Sequence, residues 1–187
     1  VSRNGKVVAR PRTKVLHWTP RLWFGLRNAD LWWPRGFGEP ALYDVKVVWR
    51  DDATRETLAE KAFRLGVKKV ELELSDYEVA TKRPGEMKFI VNGEPCFIRG
   101  TNWTPVDALH CRDRDRILPT LELIREANCN MIRVWGGGLY EPEPFWDWCD
   151  ENGVMVWQDF CFACTQYPQE NLAFQDLVRR ETVEVVK

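Results

Sequence analysis

Four side chains near the ends of two short apolar runs have the types needed to hold a polar, ring-shaped ligand. In NMIRVW, Arg133 and Trp135 alternate with Ile132 and Val134, and in VMVWQDF, Trp157 and Asp159 lie opposite Val156. Strand side chains point alternately to the two faces, so each polar or aromatic pair shares one side while the aliphatic residues take the other. A third cluster, RGTNWTPVDAL (99–109), brings Asn102, Trp103 and Asp107 after another apolar strand. Sugars are recognised by this mixture: hydroxyls need paired donors and acceptors, and the apolar face of a pyranose stacks on an indole. Plainer roles stay open, namely core packing for Trp103 and a turn or helix cap for Asp107. Gly136, Gly137 and Gly138 follow Trp135, where they would permit close backbone approach to a ligand, unusual backbone angles or a tight turn packing Trp135 inward. They form no phosphate loop, because no lysine followed by serine or threonine ends the run.

The elements that must position these residues are of two kinds. LYDVKVVWR (42–50) sets Tyr43, Val45, Val47 and Trp49 on one face and Asp44, Lys46 and Arg50 on the other, the period of a half-buried strand. Residues 69–75 repeat the pattern with Val70, Leu72 and Leu74. Turn formers at Asp51-Asp52 and between Pro34 and Pro40 make the first part antiparallel β structure, expected as a sandwich over residues 1–85. The pattern changes around Pro84-Gly85, and Asn92-Gly93 then marks a tight hairpin between MKFIV and PCFIRG. In DRDRILPTLELIREANCN, Ile117, Leu121, Ile124 and Asn128 share a helical stripe. Pro119 fits only the first turn, so the helix is expected to begin near Asp115 or later. NMIRVW as strand, PEPFWDWCDEN as helix closed by Gly153, VMVWQDF as strand and 172–187 as helix complete a parallel α/β grammar over 86–187. In a β/α barrel, polar groups at strand carboxyl ends gather at the open mouth, where Arg133, Trp135, Trp157 and Asp159 would stand.

Bulk properties exclude several partners. The 27 basic and 28 acidic residues are interspersed, leaving neither a basic stripe for nucleic acid nor an acidic arm. No run is long enough for a membrane span, and VSRNGKVVARPR lacks the apolar core of a signal peptide. The compartment stays open. The six cysteines form no repeated framework, and Cys161 and Cys164 make a lone CxxC, so all are expected to be mostly reduced. His17 and His110 lack paired ligand spacing, and neither metal nor cofactor is expected.

Three segments, LWWPRGFGEPALY, FIVNGEPCFIRGTNWTPVDAL and NMIRVWGGGLYEPEPFWDWCDENGVMVWQDFCFACTQYP, resemble glycoside hydrolase family 2, the last being most similar to its β-mannosidases. The match runs from about residue 30 onward. The resemblance implies a multidomain enzyme in which an immunoglobulin-like sandwich precedes a (β/α)8 TIM barrel. This chain would hold a partial sandwich and the first units of the barrel. Retaining enzymes of this kind use two glutamates roughly 5 Å apart; the family's acid/base follows an asparagine, no Asn-Glu dipeptide occurs here, and both catalysts are expected after Lys187. By the same resemblance, Trp135 walls the terminal-sugar subsite and Arg133 organises the catalytic carboxylates, while Asn102, Trp103, Asp107, Trp157 and Asp159 match positions at the barrel mouth. FRLGVKKVEL (63–72) departs from the family's Phe-Gly-x-Arg-like strand, which leaves the register near Gly66 open.

The implied activity is exo-hydrolysis of terminal β-D-mannosyl residues from oligosaccharides or glycoconjugates. Its partners would be a β-linked oligosaccharide and the remaining domains of the same polypeptide, and the isolated chain would be inactive. An exo-β-glucosaminidase is the alternative within the family, and a noncatalytic carbohydrate-binding module the alternative outside it. A third option is a carboxylate pair formed by Asp107 and Asp159. With only two or three barrel units present, an exposed strand edge is expected to favour aggregation of the isolated chain.

Overall fold

The computed structural model describes residues 1–15, 21–76 and 85–186; His17 and Pro84 lie outside them. Two short strands, β1 (Ser2–Arg3) and β2 (Lys6–Val7), join β3 (Leu42–Arg50) and β4 (Thr57–Gly66) in an antiparallel sheet of order β2-β1-β3-β4. The expected alternation holds for the first half of β3, where Tyr43 and Val45 are buried. It fails in the second half, where Val47 and Trp49 are about half exposed at 52% and 54%. The register around Gly66 is regular, Gly66 facing Leu42, and the only shift in this ladder lies at Trp49/Arg50. Gly66 is required by close approach, since a Cβ there would stand 2.9 Å from the Trp32 ring.

A second antiparallel sheet, β5 (Val70–Leu74), β6 (Met87–Val91) and β7 (Glu94–Cys96), straddles residue 85. Its β6–β7 hairpin turns at Asn92 and Gly93, both with positive φ (53° and 88°), the backbone geometry that the Asn-Gly pair favours. Val70, Leu72 and Leu74, expected on a buried face, are instead exposed. The hairpin's inward residues Val91 and Cys96 pack with Trp32, Met131 and Met155 into one core cluster.

Strands β8 (Gly100–Trp103), β9 (Met131–Val134) and β10 (Met155–Gln158) form a three-stranded parallel sheet of order β10-β9-β8. The connecting helices are α1 (Asp113–Glu126) and α2 (Glu143–Asn152), and α3 (Leu172–Val185) follows β10. The second core cluster lies between sheet and helices: Trp103, Ile132 and Val134 from the strands meet Ile117 and Leu121 of α1 and Phe145, Trp148 and Cys149 of α2. Gly153 ends α2 in the left-handed conformation (φ 67°), as its position after Asn152 predicts.

Helix α1 differs from expectation at both ends. It begins at Asp113, and Pro119 sits inside it rather than in the first turn. Proline removes one helical N–H, but Pro119 and Asp115, whose carbonyl that N–H would have met, are both exposed, so water can satisfy the freed carbonyl. Meanwhile the buried Ile117 and Leu121 hold the opposite face against the sheet. The helix stops at Glu126, and Asn128, expected on its stripe, is a left-handed residue beyond the end (φ 56°).

Candidate functional site

Parallel pairing fixes which side chains meet. Asn102, Arg133 and Trp157 are register partners across β8, β9 and β10, so they share one row on the sheet face opposite the helices. One layer lower, towards the strand amino ends, Gly100, Met131 and Met155 share that face, and Met131 and Met155 are covered by Trp32 and the β6–β7 hairpin. The lower layer is therefore plugged and apolar, and the upper one is open and polar.

Arg133 is the hub of the upper layer. Its Nη2 donates to Asp159 Oδ2 at 2.6 Å, Nε donates to Asp159 Oδ1 at 3.3 Å, and Nη1 donates to Asn102 Oδ1 at 3.3 Å. The planar guanidinium thus grips the carboxylate with two parallel bonds, the arrangement that fixes both groups most firmly. Asp159 Oδ2 also accepts the backbone N–H of Gly136 at 3.2 Å, which ties the loop after β9 to the end of β10.

The glycine run is explained by crowding. None of Gly136, Gly137 and Gly138 has a positive φ, so unusual backbone angles are not its purpose. A Cβ on Gly136 would lie 2.3 Å from Phe162 O and 2.5 Å from Phe160 O. At Gly137 it would meet the end of the Trp135 indole, and at Gly138 Pro105. The run lets the indole of Trp135 fold over its own loop while the loop lies against residues 160–162, and Trp135 is half-buried there.

The remaining expected site residues are placed differently. Trp103 is not at the open face. Being adjacent to Asn102 in a strand it points the other way, where it is buried against Phe145 with ring centroids 5.1 Å apart. Trp157 keeps its place in the row, yet its ring meets Phe89 of β6 edge-on at 6.1 Å. It also lines a cavity of about 550 Å³ with Lys68, Phe89, Trp146 and Asp150, which Arg133 and Asp159 do not line. Asp107 has the turn role: it accepts the N–H of Leu109 at 3.0 Å and pairs with Arg116 at 3.4 Å. Asp107 and Asp159 therefore have separate partners rather than each other.

Two polar residues that sequence reasoning passed over stand next to the site. Glu141 is buried and accepts the Trp103 indole N–H at 2.8 Å, while its backbone carbonyl accepts the Trp146 indole at 2.7 Å. Burial raises its carboxyl above the ordinary range, against the lowering effect of the Trp103 bond. Tyr140 donates to Glu181 of α3 at 2.6 Å and accepts from the backbone N–H of Cys161 at 3.4 Å; burial, followed by the bond to Glu181, pushes its phenol up. All six cysteines are free thiols. Among the described residues no group of three His, Cys, Asp or Glu side chains could hold a metal ion.

No protein-family profile matches the chain. The β-mannosidase of Capra hircus is 38% identical over 161 residues, 84% of this chain and 18% of that protein. The crystal structure of a β-D-mannosidase from Dictyoglomus thermophilum superposes with a TM-score of 0.71 at 38% identity, covering 83% of this chain and 19% of that one. The exo-chitosanase CsxA of Amycolatopsis orientalis follows with a TM-score of 0.56 at 27% identity, covering 67% and 13%. Over most of its length the chain is therefore similar to β-mannosidases, and it spans about a fifth of the length of the relatives it matches.

Proposed function

We propose that these residues form one wall of the terminal-sugar subsite of a retaining exo-β-mannosidase. On this reading residues 1–85 are part of an immunoglobulin-like sandwich and 86–187 the first units of a TIM barrel, with the sheet across residue 85 joining the two. Trp135 offers its ring to the apolar face of a mannopyranoside. Arg133, held by Asp159 and Asn102, presents fixed N–H groups beside it. The single observation that supports this most is the Asn102–Arg133–Asp159 network, bonded to the Trp135 loop and set at the carboxyl ends of parallel strands, the end at which barrel enzymes do their chemistry.

The acid/base and nucleophile glutamates come from polypeptide outside these 187 residues, so the chain alone binds sugar weakly and hydrolyses nothing. Likeness to an exo-chitosanase favours an exo-β-glucosaminidase as the second reading. The test is hydrolysis of aryl β-mannoside and aryl β-glucosaminide by the full-length protein and its Trp135→Ala variant. The proposal expects mannoside turnover that drops at least a hundredfold in the variant. Equal turnover by the variant, or cleavage of the glucosaminide alone, would overturn it.

A further inference from the structure

Three consecutive glycines make a poor support for a binding residue, since glycine has the most conformational freedom to lose on ordering. The loop that carries Trp135 is nevertheless closed at both ends by one residue, Trp103. The Trp103 carbonyl accepts the backbone N–H of Trp135 at 3.1 Å, and its indole N–H is accepted by Glu141 at 2.8 Å. Between these two bonds lie Gly136, Gly137 and Gly138. Gly138 donates back to the Trp135 carbonyl at 3.0 Å and abuts Pro105, two residues after Trp103. The Glu141 end is pinned again by the Trp146 indole on its carbonyl, and the Trp103 ring is wedged against Phe145.

Asn130 and Glu141 are the buried polar or charged residues among the described ones. Asn130 satisfies backbone groups at Arg99 and Phe97, an ordinary structural duty. Glu141 serves a side chain that lies on the helix side of the sheet, away from the open face. Burying a carboxylate is costly, and an apolar side chain of similar size would pack as well or better. What an apolar residue cannot do is accept the Trp103 indole and thereby close the loop.

We propose that Glu141 is a positioning residue that acts through Trp103 to hold the Trp135 loop, and so sets the orientation of the indole against which the sugar stacks. The inference rests on the reading of Trp135 as a subsite wall. The role belongs to the acceptor rather than to the charge, because the amide oxygen of glutamine could accept the same N–H.

The experiment compares Glu141→Gln, Glu141→Met and Trp103→Phe in the full-length protein, reading hydrolysis of an aryl β-mannoside, the melting temperature and the crystallographic position of Trp135. Glu141→Gln is expected to stay within about twofold of the parent kcat/KM. Glu141→Met is expected to lose about tenfold, chiefly in KM, with a melting temperature within a few degrees and a displaced Trp135. Trp103→Phe should match it, and the double variant should be no worse than either single one. The inference is overturned if Glu141→Met leaves Trp135 in place, if Glu141→Gln fails as badly as Glu141→Met, or if the two losses add. A parent protein that does not cleave the mannoside refutes the subsite reading alone, because the crystallographic position of Trp135 still tests the clamp.

Discussion

Gly136 is where the smallest possible change should have the largest consequence. Its added Cβ would sit 2.3 Å from Phe162 O and 2.5 Å from Phe160 O, where real contacts respect at least 3.0 Å. Both obstacles are backbone, so no rotamer change relieves them, and residues 160–162 or the glycine loop must move. Either movement lengthens the 3.2 Å bond from Gly136 N–H to Asp159 and disturbs the carboxylate that grips Arg133. Overpacking of this kind costs about 1–3 kcal/mol. For Gly136→Ala we expect a stability loss of that size in urea denaturation of the full-length protein, read as a lower midpoint at unchanged slope, together with a fall in mannoside hydrolysis. Gly137→Ala is the control: its Cβ meets the far end of the Trp135 side chain, which can swing aside. It should cost little stability and still impair hydrolysis. If Gly136→Ala is as stable as the parent within about 0.5 kcal/mol and equally active, the packing argument fails.

Three further outcomes are expected. Trp32 is completely buried and its indole donates to the Asp150 carbonyl at 2.8 Å, so Trp32→Phe, which leaves that acceptor unpaired, should lower stability by about 1–3 kcal/mol in the same denaturation assay. A maleimide should label Cys111 and Cys164, both exposed, well before Cys149, whose thiol is buried and pushed up to about 12; fast labelling of Cys149 in the folded protein would contradict its burial. Burial raises the Glu141 carboxyl, so the folded protein keeps that proton at pH values where the unfolded chain has lost it. This contribution to stability is complete below the ordinary carboxylate pKa and lost as pH rises through the folded value. Glu141→Gln lacks it, so the melting temperature of the variant should gain on the parent as pH rises from 4 towards neutrality, a trend that differential scanning calorimetry checks.

Local signals made much of the frame legible. Alternation located β3, β9 and β10, the left-handed Gly153 ended α2, and Asn92-Gly93 turned the β6–β7 hairpin, because each depends on a few neighbouring residues. Alternation also set Arg133 and Asp159 on one side at neighbouring strand ends, but their ion pair was not read from the sequence, because it depends on β9 and β10 lying next to each other. Trp103 shows the same rule left unapplied: a residue next to Asn102 in a strand has to face the helices. The ring of Trp157 could not be placed, because Phe89, its partner, is distant in sequence. Glu141 was passed over because a glutamate in the run EPEP reads as a solvent-facing helix start, and only the tertiary approach of Trp103 buries it. The exposure of Val47, Trp49, Val70 and Leu72 was equally hidden, since periodicity reports which side a residue takes and not whether anything covers that side.

The central claim is that Trp135 and the Arg133–Asp159 pair face one hollow that accepts a pyranose. The most direct measurement is a crystal structure of the full-length protein with a mannose-configured inhibitor. The account predicts the inhibitor ring stacked on Trp135, with an Arg133 or Asp159 atom within hydrogen-bonding distance of the ligand or of a carboxylate that touches it. An inhibitor bound with Trp135 uninvolved, or Arg133 and Asp159 parted from each other, would contradict it.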